Sequence, residues 1–195
     1  MRIALLSWES LHSIFVGGIG VHVTELAAAL ERKGHEVHVF TRVREGQMFD
    51  EYIHGVWYHR CPFCLNPNIV EETNNLCCSI VARFEDVQRI SGPFDIVHAH
   101  DWLTSNAMVW IKEGFGVRSV LTMHSTEYGR CGNRFYNHKS ELIRNHERNG
   151  TFCADRVIAV SHSLKNELCW IYELPDWKVH AIYNGIQIHN FDGFV

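Results

Sequence analysis

Short apolar runs alternate with amphipathic stripes along almost the whole chain, and this alternation limits the possible folds more than any other feature. Residues 2–7, 35–41, 56–60, 94–100, 117–123, 156–160 and 178–183 read as strands. Between them, Val23, Leu26, Ala27 and Leu30 recur at helical spacing. So do Leu76, Ile80, Phe84 and Val87, then Leu103, Ala107, Trp110 and Ile111, and finally Leu164, Leu168 and Ile171. Gly34 and Gly92-Pro93 stop helices, and Ser161 or Ser163 is placed to start one. The polar segment 42–55 reads as a loop, and 129–150 as a long excursion with a helix near 140–147. The pattern predicts an α/β, Rossmann-like three-layer domain, a mostly parallel open sheet with helices on both sides. Ligands of such sheets bind beyond the carboxyl ends of the strands. The residues expected there are Gly17 to Gly20, His100-Asp101-Trp102, His124 to Glu127, Ser161-His162 and Asn184-Gly185.

Gly17-Gly18-Ile19-Gly20 falls between the first strand and the first helix. Glycines there bring backbone N–H groups close to an anion, and the helix dipole points its positive end at the same place. Phosphate is the natural guest, although a plain tight turn would use the same residues. The dinucleotide fingerprint is not met, because Val23 stands where its third glycine belongs and the cluster lies ten residues past the strand. Thr41-Arg42, not an acid, closes the second strand, and no Walker lysine follows the glycines. His98 and His100 alternate along one strand, which predicts at most one of them in the crevice. His124 ends a buried strand beside Ser125 and Glu127, where a neutral imidazole can meet a sugar or a phosphate. No G-x-S-x-G elbow is present for a serine hydrolase.

Cys61-Pro62-Phe63-Cys64 has the spacing of a thiol redox pair, but a loop follows where thiol activation needs a helix N-terminus. Zinc would need Cys77-Cys78 as further ligands, and adjacent cysteines suit one tetrahedral ion poorly. Structural thiols are therefore expected. An odd count of seven cysteines with no signal peptide before them predicts a reducing, cytoplasmic setting. Glu9 and His12 interrupt the apolar start, which argues against a membrane span. A net charge of −4 argues against a general nucleic-acid binder. Arg130, Arg134, Lys139, Arg144 and Arg148 against Glu141 and Glu147 make one basic stretch, which fits an anionic ligand or a solvated helix face.

Five motifs in order carry a resemblance. They are residues 1–41 with Trp8-Glu9 and Val16-Gly17-Gly18-Ile19-Gly20-Val21-His22, then Phe94-Asp95-Ile96-Val97-His98-Ala99-His100-Asp101-Trp102, and then Leu121 through Arg130. Val157 through Ser161 and Ile182 through Ile186 complete the set. Together they resemble the N-terminal domain of a GT-B glycosyltransferase of family 4 (glycosyl transferases group 1), with the glycogen synthases as relatives. The resemblance implies that residues 1–185 are the acceptor-side half of a GT-B fold. Residues 186–195 would begin the link to a donor-binding C-terminal domain, absent here, so that the chain alone is expected to be inactive. It implies retaining transfer of a hexosyl unit from a nucleotide-sugar donor, such as a UDP- or ADP-sugar, to a glycan or other hydroxyl acceptor. No metal, cofactor or nucleic acid is implied, and membrane association is not indicated.

By motif match, Gly17 and Gly18 would approach the donor diphosphate and His124 the donor sugar beside the reacting carbon. Asp101 and Trp102 match an acidic-aromatic pair at the cleft edge, and Glu127, Tyr128 and Arg130 are assigned to the acceptor. Phe15-Val16 stands where glycogen synthases usually carry a lysine, which favours family 4. The alternatives are one half of a GT-B sugar-nucleotide epimerase, or a non-catalytic sugar-binding domain.

Overall fold

In the computed structural model, which describes residues 1–185, the apolar runs join into one eight-stranded sheet. In chain order the elements are β1 (Arg2–Leu6), α1 (Gly18–Arg32), β2 (Glu36–Arg42), β3 (Asp50–Ile53), β4 (Val56–Cys61) and α2 (Ile69–Ser91). There follow β5 (Ile96–His100), α3 (Trp102–Phe115), β6 (Arg118–Met123), α4 (Glu127–Arg130), α5 (Lys139–Cys153), β7 (Arg156–Ala159), α6 (His162–Tyr172) and β8 (Val179–Ala181). The strand order is β3-β4-β2-β1-β5-β6-β7-β8, and every neighbouring pair is parallel except β3 with β4. The expected link at 186–195 lies outside the described residues.

Alternation along each strand decides which helix covers which face. Ile3 and Leu5 of β1, with Val37, Val39, Val56 and Tyr58, meet Val23 and Ala27 of α1. Ala4 and Leu6 point the other way, into a larger core that takes in Leu76, Ile80 and Phe84 of α2, Met108 and Ile111 of α3, and Leu168 of α6. Burying both faces is what makes these strands read as continuous apolar runs. Trp110, expected on the core stripe of α3, is instead about a third exposed (36%).

Two expectations need correction. Segment 42–55 is not all loop, because β3 pairs antiparallel with β4 through a two-residue turn. Both turn residues, His54 and Gly55, have positive φ, as a type I′ hairpin requires. His54 is an unusual first residue for such a turn, and Asp50 and Glu51 hid the strand behind charge. Those same charges suit an edge strand, where they discourage pairing with another chain. The excursion helix is also longer than expected, since α5 runs to Cys153.

Glycine at position 150 lets α5 lie close on α3. A Cβ there would come within 2.6 Å of the Ser105 Cβ and 3.1 Å of Leu121 Cδ2. Gly150→Ala should therefore destabilise the fold by about 1–3 kcal/mol through overpacking, although alanine is the better helix former. Denaturant unfolding measures this, and unchanged or raised stability would show that the two helices can separate without cost.

Candidate functional site

From β1 the chain builds outward to β2 and β4, then returns through α2 to place β5 on the opposite side of β1. The crevice between β1 and β5, at their carboxyl ends, is the topological switch point of the sheet. Three segments meet there: the loop after β1 that leads into α1, Asp101 after β5, and His124 after β6.

Glu9 organises the first of these. Its carboxylate is buried, and Oε2 accepts from the backbone N–H of Val16 at 2.6 Å and of Gly17 at 2.7 Å. The glycine cluster is thus no left-handed turn, since Gly17 is extended with φ −157° and Gly18 already opens α1. Gly17 therefore gives its amide to the protein itself. The first turn of α1 has no capping side chain and no acidic residue of its own, and the Glu9 carboxylate, bonded to the N-cap amide of Gly17, is the anion that stands at the positive helix end. Hydroxyl contacts hold the rest of the loop: Ser10 to Ser13 at 2.8 Å, Ser13 to Thr41 at 3.2 Å, and Leu11 N–H to Thr24 Oγ1 at 3.1 Å. The Arg42 guanidinium lies 4.0 Å from the Trp8 ring centroid, and its Nε donates to the Trp8 carbonyl.

One turn into α1, His22 reaches the strand ends. Its ring stands edge-on to His124 at 4.9 Å and to His100 at 5.3 Å. His100 Nδ1 and His124 Nε2 are 3.4 Å apart, and His98 stacks on His100 at 4.5 Å while Nε2 meets Thr122 Oγ1 at 2.7 Å. The expectation that only one of His98 and His100 faces the crevice side fails, because residues two apart in a strand share a face. Burial, with neighbouring histidines adding to it, pushes His98 down to about 3 and His124 down to about 4. His100 is held well below its usual value and His22 is lowered, by burial first in both cases. All four are neutral imidazoles at neutral pH.

Asp101 sits at φ 59° and ψ 178°, a region that essentially only glycine occupies without strain. It is buried, and its Oδ1 has no hydrogen-bond partner among the described residues. Burial raises its carboxyl to about 7, against the pull of the Arg130 charge. The neighbouring Trp102 packs its ring into a small apolar cluster with Val70 and Ile143, under α2 and α5. Glu127 and Arg130 are tied into one network. Arg130 donates to Glu127 Oε2 at 3.2 Å, to Glu147 Oε1 at 2.6 Å and to Ser125 Oγ at 2.7 Å. The fully buried Glu147 also accepts from the Glu127 backbone N–H and from the Tyr172 hydroxyl. Tyr128 turns its ring to Phe135 at 4.8 Å and Trp170 at 5.4 Å.

Sequence reasoning passed over Glu9, His22 and Glu147. Only His22 carried a readable signal, four residues past Gly18 and so on the same helix face. The C-x-x-C thiols lie in unlike settings: Cys61 is buried, which pushes its thiol up to about 12, and Cys64 is exposed.

A family model described as Glycosyltransferase Family 4 matches residues 16–190. A glycosyltransferase of Methanocaldococcus jannaschii is 37% identical over 98% of this chain and 48% of its own length. A glycogen synthase of Mycobacterium tuberculosis is 28% identical over 96% of the chain and 49% of its own. The chain thus spans about half the length of the curated relatives it matches. Among solved structures, sucrose-phosphate synthase from Thermosynechococcus elongatus superposes with a TM-score of 0.81 at 20% identity, covering 96% of this chain and 49% of that one. The catalytic domain of starch synthase IV from Arabidopsis thaliana, bound to ADP and acarbose, gives 0.70 at 16% identity, covering 97% and 52%.

Removing the Glu9 carboxylate should take away the charged acceptor of the Val16 and Gly17 amides, two part-buried bonds. Glu9→Ala is expected to cost about 1–3 kcal/mol and to speed amide hydrogen exchange at 16 and 17, while Glu9→Gln, which keeps one acceptor, should lose less. Equal exchange in all three proteins would mean that the loop holds its shape without Glu9.

Proposed function

This chain belongs to glycosyltransferase family 4, and from that premise we propose that it is the acceptor-side half of a retaining, hexosyl-transferring enzyme that uses a nucleotide-sugar donor. The observation that carries the reading is the meeting of His124 with the helix that the glycines open, at the switch point of the sheet. A diphosphate would meet the N-terminus of α1 through the amides from Gly18 onward, because Gly17 gives its own to Glu9. A neutral imidazole at His124 suits a hydroxyl of the donor sugar, because it can accept or donate without bringing a charge beside the reacting carbon.

Retention without a protein nucleophile calls for a charge-spread, oxocarbenium-like state held by position and fixed dipoles. Asp101, strained and uncharged for part of its population near neutrality, is assigned to an acceptor hydroxyl. Arg130, with about a third of its side chain exposed (32%), is assigned to the acceptor's polar rim. Glu127 acts on Arg130 as a positioning residue, while Trp102, buried against Val70 and Ile143, and Tyr128, packed on Phe135 and Trp170, support the loops after β5 and β6 rather than line the crevice. The starch synthase domain, with its bound ADP and acarbose, and the glycogen synthase relative favour a UDP- or ADP-sugar and a glycan acceptor. The donor nucleotide is assigned to a second domain, so residues 1–195 alone should turn over little. Seven free cysteines favour a cytoplasmic place of work.

In the complete two-domain enzyme, His124→Ala should lower kcat by about 10²–10³-fold with the circular dichroism spectrum retained. Turnover within a few fold of the unmodified enzyme would refute the role given to His124. Acceptor-dependent release of free nucleoside diphosphate, with the anomeric configuration kept in the product, would separate transfer from epimerisation in the same assay.

A further inference from the structure

We propose that His22, His100 and His124 form a binding site for a zinc-class divalent cation. One nitrogen from each of the three rings lies within 4.8 Å of the other two. Tetrahedral zinc with Zn–N bonds of 2.0–2.1 Å places its nitrogen ligands about 3.4 Å apart. The His100 Nδ1 to His124 Nε2 separation is already 3.4 Å. Because no ligand nitrogen in the trio lies more than 4.8 Å from another, bringing all three to that spacing takes a change of at most about 1.4 Å in any separation, which small side-chain rotations can supply.

The chemistry of the rings points the same way. His22 Nε2 and His100 Nε2 are both buried with no hydrogen-bond partner among the described residues, and a cation between the rings would give at least the His22 nitrogen the partner it lacks. An imidazole nitrogen that carries no proton offers its lone pair to a metal. Neutral rings hold an anion poorly, so a phosphate is the weaker guest for this cluster. Three separate elements supply the ligands, and His98, stacked on His100 and bonded to Thr122, fixes the deepest of them. His22 and His124 are only partly buried, which leaves a path for the ion and a fourth position for water. An imidazole-only set favours zinc, copper or nickel over magnesium or calcium.

The inference does not rest on the transferase reading. Where both hold, an ion in this place withdraws His124 from a donor sugar and so acts as an inhibitor.

Metal-free chain carrying Cys64→Ser and Cys78→Ser, which removes the exposed thiols, should bind one equivalent of zinc by calorimetry. With cobalt(II) it should show the strong visible absorption of a tetrahedral site. His22→Ala, or His22→Gln should the first variant lose helix content, should abolish that absorption and weaken zinc binding by at least about tenfold. No stoichiometric binding, or binding that both His22 variants leave unchanged in folded protein, would overturn the proposal.

Discussion

Hydrogen bonding of β1 on both of its edges sets up everything else. β1 pairs with β2 through Arg2 to Leu6 and with β5 through Ile3 to Leu6, so it cannot move without opening the centre of the sheet. Because the chain leaves it in opposite directions, its carboxyl end is the one place where no crossover helix can lie across the sheet top. A concave site follows from connectivity before any side chain is considered. The residues only decide what it holds.

What was legible in the sequence is what depends on local pattern. Buried parallel strands need unbroken apolar runs, so Ile96 to His100 and Arg156 to Ala159 stood out, and Gly34 and Gly92, both at positive φ, marked helix ends. β3 was hidden because an edge strand needs little apolar residue and its turn uses a histidine where asparagine or aspartate is usual. The site was legible only in part. Motif order brought out His124 and Asp101, and the fold puts them just past β6 and β5. Glu9 was written in the first motif, yet nothing local says that a carboxylate will fold back over seven or eight residues to hold Val16 and Gly17. Glu147 likewise read as one acid among basic neighbours, and its role as the buried hub between Arg130 and Tyr172 exists only in three dimensions.

Two kinds of polar environment stand side by side at the crevice. Around Glu147 each charge is answered by an opposite charge or a donor, as buried ions must be. The histidines take the other route and shed their protons. The first environment is rigid and charged, while the second is polarizable and uncharged at neutral pH. A site with both can grip a fixed partner on one side and leave the reacting groups of another free of stray charge.

Asp101 has a consequence for how this protein could change over time. A residue at φ 59° and ψ 178° whose buried oxygen has no partner among the described residues costs the fold stability on two counts. Glycine at that position would remove both costs at once. Selection for heat tolerance alone would therefore draw the chain toward glycine here, and a lineage that keeps aspartate is one in which some use of that carboxyl group outweighs the thermal advantage of losing it.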